Sequence, residues 1–396
     1  MSASAKLPPF DAADPLGIDD LLEPEDLAVR DTVRAWAADR VLPYVADWYE
    51  KGELPGIREL ARELGSIGAL GMPLTGYGCA GATAVQYGLA CLELEAADSG
   101  IRSLVSVQGS LAMYAIHRFG SEEQKRQWLP RMAAGEVIGC FGLTEPDHGS
   151  DPASLRTRAE RDGGDWVLSG RKMWITNGSV AGVAVVWART EEGIRGFVVP
   201  TDSPGFSAPE IKHKWSLRAS VTSELVLDDV RLPATAVLPE VTGLRGPLSC
   251  LSHARYGIVW GAMGAARSSF EAALDYARSR EQFGRPIGGF QLTQAKLADM
   301  AVELHKGILL AHHLGRRMDA GRLRPEQISF GKLNNVREAI GICREARTVL
   351  GANGISLEYP VMRHATNLES VLTYEGTVEM HQLVLGKALT GLDAFR

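Results

Sequence analysis

The sequence predicts a mainly α chain with a β domain in its middle. Three observations predict it. Apolar residues recur near helical spacing between Glu23 and about Gly135. From about Ile138 to Gly243, short β-rich runs alternate with Gly, Pro, Asn and Asp, the pattern of an all-β sandwich or barrel. From about Gly246 onward, long segments with one apolar face return, as in a four-helix bundle. The expected division is an N-terminal helical domain (1–138), a middle β domain (139–245) and a C-terminal four-helix bundle domain (246–396).

Each element has a local reason. Leu27, Val29, Val33, Trp36, Ala37 and Val41 make a helix that Pro43 punctuates. Glu59–Leu64 reads the same way, and the glycine-rich stretch from Gly65 to Gly81 reads as loop. Further helices are expected from Ala82 to about Asp98 and from Val105 to about Phe119. Another starts at Ser121, where Gln124 completes a capping box. Strands are expected at Trp166–Leu168, Met173–Thr176, Val183–Ala188, Gly196–Val199 and Leu225–Leu227. Long helices are expected near 250–279, 290–320, 325–350 and 378–392.

Composition bounds the function. Of 396 residues, 45% are apolar and 23% charged, which excludes a disordered or collagen-like chain. The net charge of −6 argues against nucleic-acid binding. The longest apolar runs, such as Val183–Ala188, are too short to span a bilayer, and no secretory signal opens the chain, so a cytoplasmic protein is expected. Five scattered cysteines form no C-x-x-C pair, and His312-His313 cannot share a helix face, so no metal site is assigned.

Several segments combine residues able to carry chemistry. Phe141–Asp151 is rich in small and hydroxyl residues where the helical part meets the β part. It reads as an ordinary turn or as a loop offering N–H groups to a polar ring or anion. Trp174 stands on a strand, where tryptophan more often belongs to a core than to a cofactor platform. Arg278–Ile287 reads as a basic helix end or as a phosphate clamp. Leu350–Gly354 reads as a C-cap turn or as a glycine loop that lets a ligand approach. Glu375 is a carboxylate in an apolar-aromatic setting before a helix. Glu95, Arg102 and Ser106, at spacings of seven and four, share a side if the segment is helical, although Gly100 could break it. They are either a surface ion pair or a device for a substrate carboxylate, which an arginine grips bidentately.

Five phrases in this order resemble the acyl-CoA dehydrogenase family of flavoenzymes, and within it the glutaryl-CoA dehydrogenase branch. They are Gly139–Pro146, Lys172–Asn177, Ala254–Ile258, Arg280–Gly284 and Tyr374–Thr377, and the likeness runs from about residue 20 to the end. It implies a homotetramer and a non-covalent FAD held without a Rossmann fingerprint; no G-x-G-x-x-G follows a strand here. Phe141, Gly142, Leu143, Thr144, Gly149 and Ser150, with Trp174, Ile175, Thr176 and Thr377, would line the flavin. Arg280 and Gln291, with Thr348, Val349, Leu350, Gly351 and Ala352, would reach the FAD of a neighbouring subunit. Two departures stand out. Asp147-His148 replaces the more usual Asn-Ser, with His148 read as facing solvent, and Ala352 replaces a usual glycine.

The resemblance also implies a mechanism. Glu375 would take the Cα proton of an acyl-CoA, and its backbone N–H, with a flavin ribose hydroxyl, would hold the thioester oxygen. Arg102 would pair with the distal carboxylate of glutaryl-CoA, helped by Glu95, Ser103 and Ser106. Ser150, Arg255, Tyr374 and Gly376 would lie against the acyl and CoA portions. Glutaconyl-CoA would then lose CO2 to give crotonyl-CoA, and electron-transfer flavoprotein would collect the electrons. The alternatives are a dehydrogenase of short or branched monocarboxylic acyl-CoAs, a non-decarboxylating glutaryl-CoA dehydrogenase, and a flavin-free binding protein.

Overall fold

The computed structural model describes residues 10–12 and 14–394. The chain opens with α1 (Pro24–Arg40), α2 (Val45–Lys51), α3 (Ile57–Ser66), α4 (Ala84–Ala97), α5 (Ser99–Ser106), α6 (Tyr114–Phe119) and α7 (Glu122–Ala133). Ser121 caps α7 as expected: its hydroxyl accepts from the Gln124 N–H, and Gln124 Oε1 accepts from the Ser121 N–H. The helix expected from Val105 begins earlier, at Ser99, and passes through a π-helical turn, Val107–Met113. In that turn buried Gln108 donates to the carbonyls of Met132 (2.9 Å) and Val137 (2.8 Å) and accepts from the Gly139 N–H (2.6 Å). This amide therefore fixes where the first strand leaves the helical layer.

The middle part is β1 (Gly139–Gly142), β2 (Arg158–Asp162), β3 (Asp165–Thr176), β4 (Val183–Thr190), β5 (Gly193–Pro200), β6 (Phe206–Ser207) and β7 (Thr222–Pro233). They form one mixed seven-stranded sheet in the order β1-β4-β2-β3-β7-β6, with β5 on β4. The runs around Trp166 and Met173 are a single strand. Its pairing with β7 slips between Leu168 and Gly170 and again between Lys172 and Ile175. The second irregularity lifts Trp174 out of the ladder, with φ +62° and its side chain 59% exposed. Trp174 is thus not the core residue its strand position suggests.

After the sheet come α8 (Arg245–Ser279), a small hairpin of β8 (Glu281–Gln282) and β9 (Arg285–Pro286), α9 (Gln291–Asp319), α10 (Pro325–Leu350), α11 (Val361–Thr373) and α12 (Val378–Thr390). Helix α11 was absent from the sequence expectation. Val361, Ala365, Leu368 and Val371 recur along it at helical spacing and enter the core, and its buried face also carries Arg363 and Asn367, which bind the carbonyl of Ala97 (2.7 Å) and the carboxylate of Asp98 (3.0 Å). Buried apolar side chains from α8, α10 and α11 make one core, and those of α1, α3 and α4 make another with α8 and α9. Among the described residues no helix is long and apolar enough to cross a membrane.

Candidate active site

The candidate base stands in the turn between α11 and α12. Glu375 has φ +55°, a left-handed conformation that few non-glycine residues adopt. Gly376 follows at φ +104°. A Cβ there would come within 3.0 Å of His381 Nε2 and 3.3 Å of Arg255 Nη2, so only glycine fits. Thr377 caps α12, its hydroxyl accepting from the Met380 N–H at 3.4 Å. Two cations, half-buried Arg255 and buried Lys332, hold the turn. Arg255 Nε donates to the Glu375 carbonyl (2.6 Å), and Lys332 Nζ donates to the carbonyls of Tyr374 (2.5 Å) and Gly376 (2.6 Å).

The carboxylate itself is left free. Glu375 Oε2 is buried and has no hydrogen-bond partner. Burial raises its proton affinity above the usual carboxylate range, and the positive charges of Arg102, Lys332 and Arg255 oppose that rise without cancelling it. A buried carboxylate with raised basicity and no donor on its oxygen is equipped to accept a proton.

Glu95, Arg102 and Ser106 are all buried, so the surface-ion-pair reading fails. Arg102 Nε donates to Glu95 Oε2 at 2.6 Å, with the side chains 1% and 0% exposed. The helix does break, but at Asp98 rather than Gly100. Asp98 ends α4 and its carboxylate caps α5 through the Gly100 N–H (2.7 Å). Glu95 and Arg102 therefore meet across a helix–helix corner, not along one helix face. Arg102 Nη2 also hydrogen-bonds the Tyr374 hydroxyl, which ties the arginine to the residue before Glu375. Ser103 Oγ lies 3.5 Å from the same nitrogen. Arg102 Nη1 donates to no protein group among the described residues, and Glu95 Oε1 and Ser106 Oγ are buried without partners. Burial disfavours the guanidinium charge, but Tyr374 and Glu95 outweigh it, so Arg102 stays firmly protonated.

On the sheet side, Phe141 and Gly142 end β1 rather than opening a loop, and Leu143 is buried beside them. The carbonyl of Thr144 accepts from the Met173 N–H (2.8 Å), which joins this segment to β3 beside Trp174. Glu145 closes a turn with His148 and accepts from Lys172 (2.8 Å) and from the N–H groups of Arg156 (2.6 Å) and Thr157 (2.8 Å). Gly149 and Ser150 are exposed, Thr144 and Thr176 half-buried, and Ile175 buried. His148 is half-buried with Nε2 enclosed and unpartnered, not solvent-facing.

Arg280, Gln291, Thr348, Gly351 and Ala352 are exposed, Val349 is half-buried and Leu350 buried. The positive φ in the last segment falls on Gly351, so Ala352 carries no left-handed strain. Sequence reasoning missed Lys332 and Gly261. A Cβ on Gly261 would lie 2.0 Å from Glu95 Oε2 and 2.7 Å from Arg102 Cδ, so its bare backbone makes room for the buried pair. No local signal marks either residue. Among the described residues no group of side chains could hold a metal.

An α-β-α chain with an unpartnered buried carboxylate beside a closed basic turn is the arrangement of a flavin-dependent dehydrogenase of acyl thioesters. Models of the N-terminal, middle and C-terminal domains of acyl-CoA dehydrogenases match residues 23–136, 140–230 and 242–390, and the chain belongs to the acyl-CoA dehydrogenase family. It is similar to a crystal structure of glutaryl-CoA dehydrogenase from Mycobacterium smegmatis: 72% identity, 97% of this chain and 99% of that one covered, TM-score 0.96. A second glutaryl-CoA dehydrogenase structure from Mycobacterium smegmatis, in complex with FADH2, shares 65% identity over 96% of this chain and 98% of the other, with TM-score 0.94. An acyl-CoA dehydrogenase of Bacillus subtilis (strain 168) is 34% identical, covering 93% of this chain and 98% of its own.

Proposed function

We propose that the protein oxidises and decarboxylates glutaryl-CoA to crotonyl-CoA and CO2. The observation that carries this reading is the buried Arg102–Glu95 pair bonded to Tyr374, immediately before the base. A monocarboxylic acyl chain would have no use for a desolvated guanidinium with Nη1 unengaged.

The residues present fit FAD. Trp174 offers an exposed indole at a bulged, left-handed position, with half-buried Thr176 two residues on and half-buried Thr144 joined to the neighbouring Met173 N–H through its carbonyl. Phe141–Thr144, Gly149, Ser150, Trp174–Thr176 and Thr377 would hold it. Arg280, Gln291 and Thr348–Ala352 would serve a neighbour's flavin in a homotetramer. Phe283, 94% exposed, supports a partner on that side. When bound, FAD supplies the acceptor for the β-hydrogen as hydride.

This chain's residues do the rest. Glu375 takes the Cα proton, and its backbone N–H steadies the negative charge on the thioester oxygen. Arg102 fixes the distal carboxylate, so that Cα faces Glu375. Glutaconyl-CoA then loses its terminal carboxyl as CO2, the electron pair spreads into the thioester, and protonated Glu375 returns its proton to the dienolate. Electron-transfer flavoprotein as electron acceptor and a cytoplasmic setting belong to the same reading.

The test is the flavin-loaded enzyme on glutaryl-, butyryl- and hexanoyl-CoA, with product mass and CO2 measured. Glutaryl-CoA should be preferred, with one CO2 per oxidation. Glu375→Gln should keep flavin and lose at least ~10²–10⁴-fold in kcat. Preference for butyryl-CoA overturns the substrate. Glutaconyl-CoA accumulating without CO2 overturns the second step. Activity of Glu375→Gln within about threefold of wild type overturns the base.

A further inference from the structure

We propose that Lys332 is the positioning residue of the base: from α10 its buried ammonium bridges the carbonyls on either side of Glu375, holding the strained turn and polarising the peptide whose N–H faces the thioester. The inference rests on Glu375 being the base.

Geometry carries it. Lys332 is 2% exposed, and its Nζ lies 2.5 Å from the Tyr374 carbonyl and 2.6 Å from that of Gly376. With Arg255 on the Glu375 carbonyl, three successive carbonyls are each bound by a cation. That spends the carbonyl edge of the turn and leaves the opposite edge to the substrate. The Tyr374 carbonyl and the Glu375 N–H belong to one peptide unit. A charged donor on the oxygen draws electron density from the nitrogen and strengthens that N–H as a donor, as hydrogen bonds in a chain reinforce one another.

A cap for the C-terminus of α11 would explain a donor here but not a charge. A neutral amide could satisfy carbonyls without the cost of burying an ammonium. The cost is evident: burial pushes the Lys332 ammonium down to about 7, with Glu375 pulling the other way. Ser329, on the same face of α10, bonds His381 Nδ1 (3.0 Å), so α10 supports both flanks of the turn.

The charged and titratable groups facing Glu375 are Lys332 from α10, Arg255 from α8, Arg102 from α5 with Glu95 and Cys91 from α4, Tyr374 in the turn, and His381 from α12. Loss of the Lys332 charge removes one of the three cations that lower the proton affinity of Glu375. The acid limb of kcat/KM must therefore move to higher pH, by roughly one unit for a close charge.

The experiment uses flavin-loaded Lys332→Met, Lys332→Gln and Lys332→Arg. It measures kcat, KM, flavin content, the pH profile of kcat/KM, and Cα hydrogen–deuterium exchange of a bound acyl-CoA analogue lacking a removable β-hydrogen. Lys332→Met should lose about a hundredfold in both kcat and exchange rate, with KM within threefold and flavin retained. Its acid limb should shift upward. Lys332→Gln should show the same shift with a smaller rate loss, and Lys332→Arg should restore the limb. If Lys332→Met does not fold, the limb of Lys332→Gln decides. An unshifted limb with exchange at the wild-type rate overturns the proposal. If Glu375→Gln still exchanges the Cα proton, the reading of Glu375 falls instead, whatever Lys332 does.

Discussion

Replacing Arg102 with methionine keeps much of its aliphatic stem and removes its charge. In the wild type Glu95 Oε1 is already unpartnered, and Arg102 Nε is the only hydrogen-bond donor on Oε2 among the described residues. The substitution strands a fully buried carboxylate, and breaking such a pair costs about 3–5 kcal/mol. Burial already holds Glu95 above the usual carboxylate range, against the pull of Arg102. Without Arg102 that proton affinity rises further. A carboxyl raised in the folded state stabilises below its unfolded value and loses that contribution as pH climbs through the folded value. The Tm deficit of the variant should therefore be small near pH 5 and larger at pH 8. Activity should respond separately. A substrate carboxylate with no guanidinium suffers the same penalty, so kcat/KM for glutaryl-CoA should fall roughly a hundredfold to several thousandfold at 1.4 kcal/mol per decade, and butyryl-CoA should lose little. Glu95→Gln/Arg102→Met should recover the Tm but not the glutaryl-CoA activity. If the double variant restores both, or butyryl-CoA falls as far as glutaryl-CoA, Arg102 is structural and the substrate assignment is wrong.

Gly261→Ala should act on the same pair from α8. Its Cβ would sit 2.0 Å from Glu95 Oε2, and at least a tenfold fall in the glutaryl-to-butyryl ratio of kcat/KM is expected from shifting the guanidinium. A ratio unchanged from wild type would show that the pair tolerates displacement. Burial works against the Glu145 carboxylate, but Lys172 and the backbone N–H groups around it win and hold it down to about 2. That stabilisation is present above about pH 4.5 and lost as pH falls toward 2. Glu145→Gln should flatten the acid-unfolding profile in this window, and equal slopes in calorimetry would remove the pair from that role.

The parts of the site written in consecutive residues were legible in the sequence. Tyr374-Glu375-Gly376-Thr377 shows its carboxylate, its glycine and its capping threonine side by side, and the structure uses all of them in one turn. Contacts made through distance were legible only partly. Glu95 and Arg102 do meet, yet the spacing argument assumed one helix, and Asp98 breaks it. That break is itself held from α11, whose Arg363 and Asn367 bind Asp98. The apolar period of α11 itself, Val361, Ala365, Leu368 and Val371, was legible in the sequence; the buried polar pairs between its turns were not. Lys332 was not legible, because nothing near it in sequence tells which carbonyls it will reach. The exposure of Trp174 was not legible from its strand position, because the bulge that lifts it out of the ladder is invisible to a period-two pattern.

The base faces two opposing demands. It must be ionised before substrate arrives, yet basic enough to take a weakly acidic Cα proton. Burial alone would raise its proton affinity until it stayed neutral, and a hydrogen-bonded cation would make it too weak a base. The arrangement avoids both. Arg255 spends its Nε–H and Lys332 two hydrogens on backbone carbonyls, and Arg102 spends two of its own on Glu95 and Tyr374. All three act on Glu375 through charge, while its Oε2 receives no donor hydrogen. The cations thus favour the carboxylate at a distance without occupying the lone pair that must accept the proton. The distal carboxylate of a dicarboxylic substrate, arriving at Arg102, would offset one of those charges and raise the proton affinity of Glu375 when the Cα proton comes into reach. In this geometry substrate selection and activation of the base are one electrostatic event, centred on Arg102.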